Sequence, residues 1–143
     1  MGFLNRMFGN KPDYPDLAAD SPAAGQLARI REQLEALSDQ VHKPLEVVPG
    51  EEGSIVFIGK PPKKFGIAWI EGGRVINFKT LVDEHGFSPQ ELQVLSDRIR
   101  EIYEANEDDA RYMATVGAHE VVVHPSDHFR AQVNEAIDSV SHH

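Results

Sequence analysis

The chain has no cysteine among its 143 residues, which excludes disulfide scaffolds, thiolate zinc sites, iron–sulfur clusters and thiol nucleophiles. That absence is compatible with a reducing cytoplasm, the compartment expected here. Basic residues are scarce: 14 Lys and Arg stand against 23 Asp and Glu, a net charge of −9. Such an excess repels nucleic acid and anionic membrane surfaces from most of the molecule. No apolar run approaches the roughly 20 residues needed to cross a bilayer, and the N-terminus lacks the long apolar stretch and small-residue cleavage site of a secretory signal. A GxSxG nucleophile elbow and a GxxxxGK[ST] phosphate loop are also missing, and no internal repeat or low-complexity tract occurs.

A chain of this length is about one domain and can bury roughly two thirds of its unfolded surface without staples. The most informative segment surrounds Glu71-Gly72-Gly73-Arg74, because a two-residue Gly-Gly turn fixes which side chains face each other. Glu71 opposite Arg74 pairs Trp69 with Ile76, Ile67 with Phe78 and Phe65 with Thr80 on an almost wholly apolar face. Gly66, Ala68, Ile70, Val75, Asn77 and Lys79 occupy the other face.

Residues 1–20 read as an N-terminal amphipathic segment followed by a Pro/Asp linker. Phe3, Leu4, Met7 and Phe8 share one face of a short helix, and residues 1–11 hold Arg6 and Lys11 but no acid. Arg6 stands where an N-myristoylation motif wants Ser or Thr. A helix then starts at Ser21 and Pro22, with the stripe Leu27, Ile30, Leu34, Leu37 and Val41. A short strand near Leu45–Val48 and a stronger one, Ser54–Ile58, precede the two strands of the Gly-Gly hairpin. Asp83-Glu84-His85-Gly86 ends this meander.

Ser88, Pro89 and Glu91 then spell a capping box, with Phe87 and Leu92 placed for a hydrophobic staple and Leu92, Leu95, Ile99 and Ile102 as the stripe. This helix should stop within Glu104–Asp109. A hairpin Arg111–Val116 and His119–His124 turns at Gly117-Ala118, and Ser126 caps a last helix with the stripe Phe129, Val133, Ile137 and Val140. The expected fold is therefore α+β. A single domain, residues 21–141, packs its helices on one face of a five- or six-stranded, mainly antiparallel sheet. His142 and His143 match a purification-tag remnant and carry no argument.

No catalytic signature rises above background, and no cofactor is expected. The serines sit at helix caps, and the acidic pairs Glu51-Glu52, Asp83-Glu84 and Asp108-Asp109 lie in turns, where they read as solvated charges. His119 and His124 are five positions apart on one strand, point to opposite faces and cannot share an ion. The metal candidates that survive are His124, Asp127 and His128, beside the positive end of a helix that favours anions; the expectation is solvated surface histidines and no metal. Lys60, Lys63 and Lys64 flank Pro61-Pro62 and form the densest positive spot outside the N-terminus, suited to an anion or an acidic partner. The shallow face carrying Gly66, Ala68, Ile70, Val75 and Asn77 is the expected surface for a partner strand, a helix or a second copy.

The order helix, three strands, helix, two strands, helix over residues 21–141 of this acidic chain resembles that of small bacterial type III secretion chaperones. The resemblance implies a non-catalytic role, with dimers whose sheet and helix surfaces hold an extended or partly unfolded client. The expected function is accordingly a protein-binding, chaperone- or adaptor-like module of the bacterial cytoplasm, acting with a protein partner or as a homodimer and without nucleic acid. The alternatives are a small-ligand or metal-binding domain, or a membrane-surface accessory protein attached through residues 3–8.

Overall fold

The computed structural model describes residues 14–141. The elements run α1 (Pro22–Arg29), α2 (Arg31–Val41), β1 (Leu45–Val48), β2 (Gly53–Lys60), β3 (Lys64–Glu71), β4 (Arg74–Asn77), α3 (Phe78–His85), α4 (Pro89–Ala105), β5 (Tyr112–Val116), β6 (His119–Val123) and α5 (Asp127–Ser141). The strands form one sheet in the order β4-β3-β2-β1-β6-β5. The first four make an antiparallel meander, and the β5–β6 hairpin joins it through a parallel pairing of β6 with β1. The α+β class and the mostly antiparallel six-stranded sheet match the sequence expectation.

Both hairpins take the register that turn chemistry dictates. Glu71 faces Arg74 and Trp69 faces Ile76, with Gly72 and Gly73 at φ 54° and 79°, values that favour glycine. Val116 faces His119 and Ala114 faces Val121, with Gly117 at φ 62°. The pairs Ile67–Phe78 and Phe65–Thr80, however, do not form. β4 stops at Asn77, whose side chain accepts from the Thr80 N–H at 3.0 Å while the Thr80 hydroxyl accepts from the Asn77 N–H at 3.3 Å. This local capping box turns the chain into α3, a helix absent from the sequence reading, which Gly86 closes in the left-handed region. Phe78 still reaches the core, its ring 6.1 Å from that of Trp69.

The first expected helix is two, because Ile30 leaves the helical region at φ −112°, ψ 16°. Its stripe nonetheless stays on one core. The capping box at Ser88 forms in full, with bonds of 2.8 and 3.1 Å, and α4 ends at Ala105 as the acidic stretch predicts. Ser126 accepts from the Phe129 N–H at 3.1 Å and caps α5.

The helices cover both faces of the sheet rather than one. Ile55, Phe57, Ile67 and Trp69 meet Leu95, Ile99, Phe129 and Val133 from α4 and α5. Val47, Val56, Ala68, Ile70, Val121 and Val123 meet Leu27, Leu34 and Leu37 from α1 and α2. The reason is visible in the central strands: Ile55-Val56-Phe57 and Ile67-Ala68-Trp69-Ile70 are continuously apolar, and a strand without polar alternation needs cover on both sides.

Candidate functional site

The covered sheet leaves its β5 edge as the place where backbone is offered outward. The Met113 N–H donates to the Pro15 carbonyl and the Leu17 N–H donates to the Met113 carbonyl, each at 2.8 Å. Residues 15–17 thus run beside β5 in parallel, with Asp16 opposite Met113. Backbone direction alternates along a strand, so Thr115, two residues on, presents its own N–H and carbonyl to the same side. Thr115 is exposed, and among the described residues nothing bonds to it across that edge. A cavity of about 600 Å³ opens here between β5 and α1, walled by Leu17, Ala24, Leu27 and Ala28, with Arg31 and Glu120 also lining it. Arg31 is held by Glu35 at 2.7 Å, and the Glu35 side chain lies against Gly117 in the hairpin turn, where a Cβ would approach its Cδ to 2.7 Å.

Chemically, this edge can hydrogen-bond an extended backbone and take one apolar side chain into the cavity.

Beneath the other end of β5 lies a buried polar cluster. Glu46 projects from β1 and accepts from the Tyr103 hydroxyl at 2.7 Å and from Arg111 Nε at 3.0 Å, with His124 Nδ1 at 3.1 Å. His124 is fully buried; its ring stacks on Phe129 at 4.6 Å, and its Nε2 lies 2.8 Å from Asp109. Burial alone would raise the Glu46 carboxyl. The hydrogen bonds from His124 and Tyr103 and the Arg111 guanidinium outweigh it and hold the group below its ordinary range. Tyr103 is pushed up, first by burial and then by the Glu46 charge. Arg111 also donates to the Glu107 and Asp109 carbonyls at 2.8 and 3.1 Å and lies over the Tyr103 ring at 5.3 Å. These groups are saturated by one another, and the cluster's work is to clamp β1, β6, α4 and the loop before β5 together.

Several sequence expectations are corrected by these placements. Most of the face expected to bind a partner is interior: Ala68 and Ile70 are each 1% exposed under α1 and α2, and Val75 is half-buried in the same core, while Gly66 is half-buried at its edge and Asn77 is exposed. His124 is not a surface histidine, and its partners are Glu46 and Asp109 rather than Asp127 and His128. Glu46 and Asp109 bind opposite ring nitrogens and so do not converge on a point; among the described residues no group of three or more His, Cys, Asp or Glu is placed to hold a metal. Asp127 instead pairs with Arg130 at 3.2 Å on the surface, and His119 pairs with Asp39 at 2.7 Å.

Lys60, Lys63 and Lys64 do share the β2–β3 loop, all exposed, with Lys60 directly opposite Lys64. Arg100 anchors that loop through the Pro62 carbonyl at 2.7 Å. Phe3, Leu4, Met7 and Phe8, like His142 and His143, lie outside the described residues. The edge site and the Glu46 cluster were both missed in sequence. A lone acid inside the apolar run Leu45-Glu46-Val47-Val48 was the available signal for the second. No helix among the described residues is long and apolar enough to cross a membrane.

Comparison with protein-family models, with curated proteins and with solved structures finds no match to this chain.

Proposed function

We propose that the chain is a non-catalytic protein-binding module, chaperone- or adaptor-like, that holds an extended segment of another protein along the β5 edge of its sheet. The observation that carries the reading is that this edge already accepts an extended segment, its own residues 15–17, in parallel register through Met113. A client strand at Thr115 adds main-chain hydrogen bonds worth about 0.5–1.5 kcal/mol each, and an apolar client side chain in the neighbouring cavity adds about 1.5–3 kcal/mol. Ordering the client opposes both, so affinity rests on the cavity being filled. A second copy of the chain meets the same requirement by pairing β5 with β5, which is the homodimeric form of the proposal. The setting is a bacterial cytoplasm, with which the lack of cysteine is compatible.

Thr115→Pro tests the reading cleanly. Thr115 faces away from β6, so proline there deletes the outward N–H while leaving the β5–β6 ladder paired. A displayed library of extended peptides panned on the wild-type chain should yield binders that fail on Thr115→Pro, and light scattering should show any dimer reduced to monomer by the same change. Binders or dimers indifferent to Thr115→Pro, or no binders and no dimer, would sink the proposal.

A further inference from the structure

On the side of the molecule away from β5, two cavities of about 460 and 340 Å³ lie between the β2–β3–β4 end of the sheet and α5, and Trp69, Glu71 and Asn134 line both. Two residues that line this cleft carry a buried N–H donor without an acceptor: the indole Nε1 of Trp69, a residue 4% exposed, and Nε of Arg130, which lines the smaller cavity. A buried donor left unpaired costs about 1–3 kcal/mol, so each asks for an acceptor that the protein itself does not supply. Arg130 reaches this position over Gly50, where a Cβ would stand 2.6 Å from its Nε and 2.7 Å from its Cδ. Among the described residues its guanidinium pairs with Asp127, whose side chain is 88% exposed, an ion pair that solvent leaves weak. The Glu71 carboxylate at the rim has no hydrogen-bond partner among the described residues. Ile76, Leu81, Phe87 and Ile137 form the apolar wall of the larger cavity, with His85 and Asp138 also lining it.

We propose that this cleft binds a small apolar α-amino acid as its zwitterion: the carboxylate accepts from Trp69 Nε1 and Arg130 Nε, the ammonium meets Glu71, and the side chain enters the apolar cavity. A plain carboxylate would face Glu71 and Glu52 at the mouth of an already acidic protein. The zwitterion carries no net charge, and its ammonium uses the rim acid that a simple anion would be repelled by. The site is distinct from the β5 edge and independent of the protein-binding reading.

Trp69 is the single tryptophan of the chain and reports on the site directly. L-Leucine titrated to about 10 mM, enough to fill most of a site with a Kd near 1 mM, should give a saturable change in tryptophan emission. Leucinamide, lacking the carboxylate, and 4-methylpentanoate, lacking the ammonium, should each bind at least about tenfold more weakly, the loss of roughly one charge-assisted hydrogen bond. Arg130→Lys keeps the charge but deletes the Nε donor and should weaken leucine by a similar factor. Glu71→Gln, at the exposed rim where folding is not at stake, should weaken leucine while strengthening 4-methylpentanoate, whose carboxylate is no longer repelled. No saturable response to leucine, equal responses to the two truncated analogues and to leucine, or indifference to both substitutions would overturn the assignment.

Discussion

Replacing Glu46 by glutamine keeps the volume of the side chain and removes the charge to which Tyr103 and Arg111 donate and which His124 contacts. Tyr103, Arg111 and His124 lie 2.7, 3.0 and 3.1 Å from its two oxygens, and the Arg111 and Glu46 side chains are 5% and 10% exposed. The amide NH₂ must then face at least one of these donors, and the guanidinium is left buried without its counter-charge. Breaking a buried pair in this way costs about 3–5 kcal/mol, or a fall in Tm of roughly 10 °C for a domain of this size. Urea unfolding of wild type and Glu46→Gln at pH 7, followed by Trp69 emission and by far-UV circular dichroism, measures the difference.

The pH dependence supplies a second, independent check. The folded Glu46 carboxyl titrates below its ordinary value of 4.5. Its contribution is therefore fully present above about pH 4.5 and is lost as pH falls through the folded value, so the gap between wild type and variant should narrow in acid. A Glu46→Gln protein within about 0.5 kcal/mol of wild type at pH 7, with an unchanged denaturant slope, would refute the view that this cluster clamps the two halves of the sheet.

Two further substitutions probe local elements. Asn77→Ala removes the side-chain cap that ends β4 and starts α3, and should cost about 1 kcal/mol in urea unfolding; no loss would mean that α3 is held by packing alone. Lys60→Glu converts the directly opposed Lys60–Lys64 pair into one of opposite charge, and should stabilise the β2–β3 hairpin by about 0.2–1 kcal/mol at low salt, fading as salt is added. A destabilisation that persists at high salt would contradict the exposed, salt-screened pair seen here.

The parts of this protein legible in its sequence are those decided over a few residues. A Gly-Gly turn admits one register, so Trp69 had to face Ile76; a serine, a proline and a glutamate at the right spacing had to start α4. The same local logic misled where a competing local signal won, as when Asn77 and Thr80 capped a helix and cut short the strand that alternation extended to Thr80. What tertiary structure alone decided were contacts between distant segments. Glu46 and His124 are 78 positions apart, and only the parallel docking of β6 on β1 brings them together and makes an apparent surface histidine a core residue. The pairing of Asp16 with Met113 and the cleft joining Trp69 to Arg130 arise in the same way. The two-faced cover of the sheet stands between these extremes: the unbroken apolar runs of β2 and β3 demand it, but which helices supply each layer depends on how the chain folds back over the sheet. Turn geometry and capping are short-range interactions whose partners are fixed by spacing along the chain, whereas buried polar pairs and clefts need loops to close over long separations, and no periodicity in the sequence encodes where those loops will meet.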